Sequence, residues 1–389
     1  MKVMILTAGY IPAKNYGGPV VSLQNMCNAI GDRIQIYILT NDHDLKSRKR
    51  LGGINPGWNN VGYAKVFYLR DHEIWLPTMK RIIKEVMPDL IYVNSFFYAK
   101  MMIPAKILNL NMDIPVILAP RGELYRNQMR IKFSKKIAYL GLFRHIMTLG
   151  NFYFHSTSDE ETKQIQRYFL NSKSRVFQVT NIPGIPHINV EKAEKKIGLS
   201  RLVFLARISR EKNLLFALQA LQGVRGDVIY DIYGNIEDQG YWEQCLAEIR
   251  RLPKNVSARY LGVCDRERIS AVLSSHDFLL LPTFSENYGH SIIESMLCGC
   301  PVIISPETPW KDLQCNNAGW VLSLNDRSGW KRVIEQTVQM TSEEYNQLSK
   351  NAREYIRKKV QVNKLGQEYI TMFSDAIQQR TSSFRNQSL

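Results

Sequence analysis

Residues 278–305, FLLLPTFSENYGHSIIESMLCGCPVIIS, set two apolar strand-like runs, Phe278–Leu281 and Val302–Ile304, around a polar loop and a short helix-like segment. Strands that alternate with helices in this way build parallel sheets covered on both faces. The alternation runs through the chain. Strands are expected at 2–6, 34–39, 90–93, 115–118 and 176–179, and helices near 96–110, 130–148 and 159–170. Gly17-Gly18-Pro19 opens a first helix, in which Val20, Leu23, Cys27 and Ile30 recur at helical spacing before Gly31 ends it. Residues 43–62, rich in Gly, Asn and charge, read as a long surface loop.

A length of 389 residues exceeds what one core usually serves, so two domains are expected. The stretch 181–200, NIPGIPHINVEKAEKKIGLS, carries two prolines and a charged run and is the best boundary. Beyond it the alternation restarts, with strands at 202–206, 228–233 and 256–261, helices at 214–221, 241–251 and 269–275, and helices again over 330–379. The expected fold class is α/β. Residues 1–185 and 186–360 would form two doubly wound, Rossmann-like domains facing across a cleft, the usual place for a ligand, and 361–389 a C-terminal helical segment.

Within 278–305, Glu286 falls in the loop and Glu294, eight positions on, in the first turns of the helix. Two carboxylates then lie beside a helix N-terminus, whose free N–H groups hold anions. That combination suits a ligand with both hydroxyls and phosphate, such as a sugar nucleotide. A plainer reading stands beside it: Ser291-x-x-Glu294 matches a capping box, in which Glu294 only caps its own helix. Ligands of open α/β sheets bind outside the carboxyl ends of the strands, which favours a site here.

Other segments carry phosphate chemistry. Gly17 and Gly18 sit between the first strand and first helix, where glycine lets backbone approach a diphosphate; the alternative is a flexible turn. The pattern is not G-x-G-x-x-G, so no nicotinamide cofactor is indicated. Arg207 and Lys212, with Arg210 nearby, follow a strand in ARISREKNL and can clamp a diphosphate, unless they are only a solvated basic loop. The only D-x-D, Asp42-His43-Asp44, lies far in the sequence from these segments, so a basic clamp is expected in place of a metal, and no metal site is expected. Trp310 either walls a pocket or fills the core. His155 reads as structural, and His290 is a minor candidate because it lies in the Glu286 loop.

Lys plus Arg number 51 against 35 Asp plus Glu, a net charge of +16, which attracts phosphates, nucleic acid or an anionic membrane. Residues 121–144 concentrate Arg121, Arg126, Arg130, Lys132, Lys135, Lys136 and Arg144 among Tyr139, Leu140, Leu142 and Phe143. This reads either as a membrane-surface helix or as a helix with its apolar side in the core. The six cysteines are scattered and are expected to be reduced thiols. The N-terminal apolar run is too short for a signal-peptide core, and no run of 18 apolar residues appears.

Taken together, SENYGHSIIESMLCGCPVI, the N-terminal strand with Gly17-Gly18, ARISREKN at 206–213, TNIPGI at 180–185 and AGW at 318–320 make the chain similar, over nearly its whole length, to the retaining glycosyltransferases of family 4, which have the GT-B fold. The resemblance implies roles for the matching positions. Arg207 and Lys212 would bind the donor diphosphate, Glu294 the ribose hydroxyls, and Glu286 the transferred sugar. The backbone of Asn287, Tyr288, Gly289 and His290 would lie near sugar and phosphate, Gly18 near the diphosphate from the first domain, and Val263 near the base. Residues 1–185 would be the acceptor domain and 186–360 the nucleotide-sugar donor domain, with the helices from about Gln361 crossing back onto the first. Many relatives carry a histidine before glycine where this chain has Arg121-Gly122. A guanidinium cannot shuttle a proton at neutral pH, though it can hold a phosphate or a developing negative charge.

The resulting expectation is a metal-independent retaining hexosyltransferase without a cofactor, whose donor is a UDP- or GDP-sugar. Its acceptor would be a lipid-linked oligosaccharide or polysaccharide in cell-surface glycan biosynthesis, of the bacterial lipopolysaccharide, O-antigen or capsule type. The enzyme would be cytoplasmic and peripheral on the inner face of the membrane. A sugar-nucleotide epimerase or a phosphorylase on the same scaffold are the rivals. A nucleic-acid-binding protein is disfavoured because no such module is evident.

Overall fold

The computed structural model describes residues 1–130, 133–169, 175–184 and 191–385. The chain divides into two compact units. One joins Met1–Ile182 to Val362–Leu389, and the other is Pro183–Gln361. The expected boundary at 185/186 lies outside the described residues.

The first unit is built on an eight-stranded sheet of order β3-β4-β2-β1-β5-β6-β7-β8. Its strands are β1 (Lys2–Thr7), β2 (Gln35–Asn41), β3 (Trp58–Val61), β4 (Ala64–Leu69), β5 (Leu90–Asn94), β6 (Val116–Ala119), β7 (Phe152–Ser156) and β8 (Val176–Gln178). All pair in parallel except β3, which runs antiparallel on the edge against β4. The helices are α1 (Gly18–Ile30), α2 (Leu76–Val86), α3 (Ala99–Met112), α4 (Arg126–Arg130), α5 (Phe133–Phe143), α6 (Asp159–Tyr168) and, from the far end of the chain, α13 (Val362–Arg385).

Helix α2 buries Met79, Ile82, Ile83 and Val86, the i, i+3, i+4, i+7 stripe of a core-facing helix. Helix α6 starts where the Ser158 side chain accepts from the Glu161 N–H, with three acids in its first turn. Helix α13 lays Tyr369, Met372, Phe373 and Ala376 into the core formed by Val3, Ile5, Leu23, Cys27 and Tyr92.

Three expectations change here. Residues 43–62 are not all loop: Trp58–Val61 forms an edge strand, because Trp58 stacks edge-on against Tyr37 (5.4 Å) and Phe67 (5.3 Å) and overrides the low strand propensity of Asn59 and Asn60. The single helix over 130–148 is replaced by α4, α5 and a short 3-10 turn at Ile146–Thr148. Strands β4 and β7 and helix α2 occupy segments that the periodicity did not single out.

The second unit holds a six-stranded parallel sheet of order β11-β10-β9-β12-β13-β14. Its strands are β9 (Leu199–Leu205), β10 (Asp227–Tyr233), β11 (Val256–Tyr260), β12 (Phe278–Leu281), β13 (Val302–Ile304) and β14 (Gly319–Val321). Helices α7 (Leu214–Ala220), α8 (Gln239–Ile249), α9 (Ile269–Ser275), α10 (His290–Leu297), α11 (Arg327–Gln339) and α12 (Ser342–Lys359) cover it. Counted from β9, the strand order is 3-2-1-4-5-6, that of a dinucleotide-binding sheet. Strand β9 pairs with β10 on one side and β12 on the other, so the order reverses between β9 and β12. The carboxyl ends of the strands at such a reversal point are where sheets of this order hold ligands.

Candidate active site

The loop after β9 carries Arg207 and Lys212, and the loop after β12 carries Glu286, so the expected residues flank the reversal point of the second unit. Lys212 closes a short 3-10 turn, Arg210–Lys212. It is only 7 % exposed. Its Nζ donates to Glu286 Oε2 at 2.7 Å and to the Ser285 carbonyl at 3.1 Å, and lies 3.0 Å from Glu211 Oε1. Burial pulls this ammonium toward neutrality, but the Glu286 and Glu211 carboxylates outweigh it and hold its pKa above the ordinary lysine value. The cation is therefore permanent and held in one place. The two loops are further stitched by the Phe284 N–H and the Thr283 hydroxyl, both donating to the Glu211 carbonyl, at 2.7 and 3.1 Å.

Arg207 is half exposed and donates to Glu237 Oε2 at 2.6 Å; Arg210 lies 3.4 Å from an Asp238 oxygen. Both acids sit in the loop after β10, and no sequence signal marked either as a partner. Val263 is exposed in the loop after β11, just past Gly262.

Glu286 leads directly into α10. Gly289 caps that helix with φ 79°, and a Cβ there would meet Ile292 Cδ1 at 2.9 Å, Glu286 Cγ at 3.3 Å and Trp310 Nε1 at 3.3 Å. Only glycine lets the chain turn this tightly beneath the Glu286 side chain. Trp310 is core rather than pocket wall: it is buried, and its indole N–H donates to the Tyr288 carbonyl at 2.8 Å, pinning the loop. Tyr288 is buried, while Asn287 and His290 are partly exposed beside it.

The capping-box reading of Glu294 is overturned. Helix α10 begins at His290 and no side chain caps it, so Glu294 lies too far along the helix to reach the cap. Its carboxylate is 6 % exposed and meets Arg266 Nη1 at 3.6 Å. Burial pushes its pKa up to about 7, which Arg266 only partly offsets. A buried carboxyl with a single distant cation is poised to accept hydroxyl hydrogens from a ligand. Arg266, in the DRER run after β11, was not legible as its partner.

In the first unit, Gly17 (φ 65°) caps α1, again with no side-chain cap, and the space where a Gly18 Cβ would stand is open. Little of the first turn is left to hold an anion: Pro19 has no N–H, and the Val20 and Val21 N–H groups donate to the Gly17 carbonyl at 3.2 and 3.3 Å. Arg121 differs from the expectation. Its Nε donates to Asn94 Oδ1 at 2.7 Å, Nη2 to the Tyr92 hydroxyl at 2.9 Å, and Nη1 to Asn181 Oδ1. These partners bind the guanidinium into the protein, as a positioning group around which β5, β6 and the Asn181 segment are organised. Tyr92 in turn donates to His155 Nδ1 at 2.7 Å, while His155 Nε2 donates to the Val179 carbonyl at 2.8 Å. Burial and the Arg121 charge push the His155 pKa down to about 3, so the ring is neutral and structural, as read from sequence.

Residues 188–355, almost the whole second unit, match the profile of the family described as Glycosyl transferases group 1. Among solved structures, Anabaena HepE in complex with UDP and glucose covers 96% of this chain and 100% of its own at TM-score 0.68 and 15% identity. WaaG, a glycosyltransferase involved in lipopolysaccharide biosynthesis, covers 94% and 98% at TM-score 0.65 and 12% identity. The fold is GT-B. Residues 188–355 are thus similar to a glycosyltransferase group 1 domain, in a chain with the GT-B fold. Curated relatives include O-antigen chain mannosyltransferase B of Escherichia coli, 23% identical over 64% of this chain and 66% of that protein, and 2-deoxystreptamine glucosyltransferase of Streptomyces kanamyceticus, 31% identical over 29% and 30%. The chain spans less than two thirds of the length of each. Arg207, Lys212, Glu286 and Glu294 all fall inside the matched segment.

Proposed function

We propose that this protein is a retaining, metal-independent glycosyltransferase that moves a hexose from a nucleoside-diphosphate sugar to a hydroxyl of a lipid-linked oligosaccharide or polysaccharide. The observation that carries this reading is the buried Lys212 ammonium, clasped by Glu286 across the reversal point of the second sheet and followed by the uncapped start of α10. The leaving diphosphate bears the charge that a transferase must stabilise, and a fixed cation with an oriented helix end does so without reorganisation. Arg207 adds a forked donor, Glu294 accepts from the ribose hydroxyls, and Val263 borders the base. Glu286 aligns the sugar. The C1–O bond to phosphate breaks as the acceptor oxygen bonds to C1 on the same face, and the acceptor proton passes to the departing phosphate oxygen. Mannosyl and glucosyl transfer by the relatives, and the lipopolysaccharide role in the WaaG description, support a hexose donor and a cell-surface glycan acceptor.

The test is a thermal-shift screen over UDP-, GDP- and ADP-sugars. A ligand at 100 times its Kd adds about 2.7 kcal/mol of stability. One donor series should raise Tm in the native protein and have no effect on Lys212→Ala, whose own unfolding remains cooperative. An unchanged shift in that variant places the donor elsewhere. NMR of the product decides configuration: an inverted anomeric centre ends the retaining assignment. Full activity in EDTA is expected.

A further inference from the structure

Past the ends of β9 and β10 the chain goes on pairing. The Ala206 N–H donates to the Tyr233 carbonyl at 3.2 Å, the Ile208 N–H to the Asn235 carbonyl at 2.9 Å, and the Glu237 N–H to the Ile208 carbonyl at 3.1 Å. Gly234 allows this approach, since a Cβ there would collide with the Ala206 carbonyl. Asp238 follows at once and caps α8, its side chain accepting from the Tyr241 N–H at 3.0 Å. Glu237 is therefore held by a backbone bridge on one side and a helix cap on the other. From that fixed base its Oε2 accepts from Arg207 Nη1 at 2.6 Å. Stability does not account for the pair. The two side chains are 40 % and 37 % exposed, and an ion pair so open to water adds little to folding. What the pair does fix is the guanidinium. Among the described residues Glu237 is the one partner of Arg207, so the Nε and Nη2 donors are unused. Those two nitrogens form an edge that grips a phosphate by two parallel bonds.

We propose that Glu237 is a positioning residue for the donor: it holds Arg207 by one nitrogen, so that the guanidinium meets the diphosphate already ordered. An unrestrained arginine gives up its rotamer freedom when a ligand fixes it, and that loss weakens affinity. The opposing view is that Glu237 is only a nearby negative charge. The two differ in sign. By charge alone, removing an acid from beside a diphosphate tightens binding. Removing the residue that orders Arg207 loosens it. The proposal rests on the nucleotide-sugar reading and adds to it a residue of the loop after β10 that acts through Arg207.

Isothermal titration of the full chain with UDP, GDP and ADP tests it, the tightest of the three then being carried through the variants. Glu237→Ala should weaken binding about fivefold, the order set by one immobilised side chain. Glu237→Gln keeps an oxygen for Arg207 Nη1 and should recover most of the affinity. Arg207→Ala should weaken binding more, and adding Glu237→Ala to it should bring no further loss. Without ligand, each Glu237 variant should melt with the native chain, since the pair is exposed. Native or tighter binding by Glu237→Ala, no recovery in Glu237→Gln, or an equal loss from Glu237→Ala in the Arg207→Ala background overturns the proposal and leaves the donor site in place. A native chain that binds none of the three nucleotides removes the donor reading itself, and the positioning role with it.

Discussion

Three oxygens surround the Lys212 ammonium: Glu286 Oε2, Glu211 Oε1 and the Ser285 carbonyl. On the proposed donor reading, a diphosphate would reach this cation by displacing Glu211, the more exposed of the two acids. Glu294 makes the opposite trade. Its carboxyl titrates near pH 7 in the folded chain and near the ordinary glutamate value when unfolded. Between those values the unfolded state has lost a proton that the folded state still holds, so the contribution of this group to stability falls as pH rises from about 4.5 to 7. The full change is roughly 3 kcal/mol. Glu294→Gln should flatten that part of the Tm–pH curve and exceed the native Tm at pH 8, while losing the nucleotide-sugar shift; a variant that tracks the native curve would show Glu294 to be ionised throughout. The types and spacing of these residues were legible in the sequence. Their partners were not: Glu237 against Arg207, Arg266 against Glu294 and Asn181 against Arg121 lie 28 to 60 positions away, and only tertiary packing selects them.

Helix α10 shows how one element aims a site. Gly289→Ala strains a φ of 79° and also presses on Ile292 and Glu286. The expected cost is about 1–3 kcal/mol in chemical denaturation, with donor binding lost; unaltered binding would free Glu286 from dependence on this turn. Helix α13 acts on the first unit. Gly366 packs where a Cβ would lie 2.7 Å from Arg33 Nη2, and the other guanidinium nitrogen, Nη1, donates to Gln367 at 3.1 Å. Removing residues beyond Gln361 uncovers Tyr92 and the α1 face, and should abolish cooperative unfolding of the first unit; an undisturbed near-UV CD spectrum would refute this. At this scale the sequence is readable where strands are buried on both faces, as in Phe278–Leu281 and Val302–Ile304, whose runs are wholly apolar. It is opaque at Trp58–Val61, where pairing on an edge is decided by rings that meet only after folding.

For the molecule as a whole, the net charge of +16 has one structurally distinctive outlet. Helix α5 packs Tyr139, Leu140 and Phe143 on the core but leaves Phe133, Ile137 and Leu142 in water beside Lys135. The core-facing reading of the basic segment is thus observed, while Phe133, Ile137 and Leu142 are exposed without sharing one face, Leu142 falling about 180° round the helix from Phe133. Among the described residues no helix is long and apolar enough to cross a membrane. We propose that α5 seats the protein on an anionic bilayer, where a lipid-linked acceptor is reached. The native chain should pellet with anionic vesicles at low salt and be released at high salt, and the triple change of Phe133, Ile137 and Leu142 to Ser should weaken pelleting without altering Tm. A native protein that stays in the supernatant ends that idea. The division into units has a further consequence, for synthesis. The first sheet leaves the ribosome early, yet the helix that covers its Tyr92 side is encoded after residues 183–361. At ordinary elongation rates that is a wait of roughly 10–40 s. During this interval the nascent first unit presents an uncovered apolar groove, a natural client surface for chaperones, which the late-arriving Tyr369 and Phe373 then withdraw.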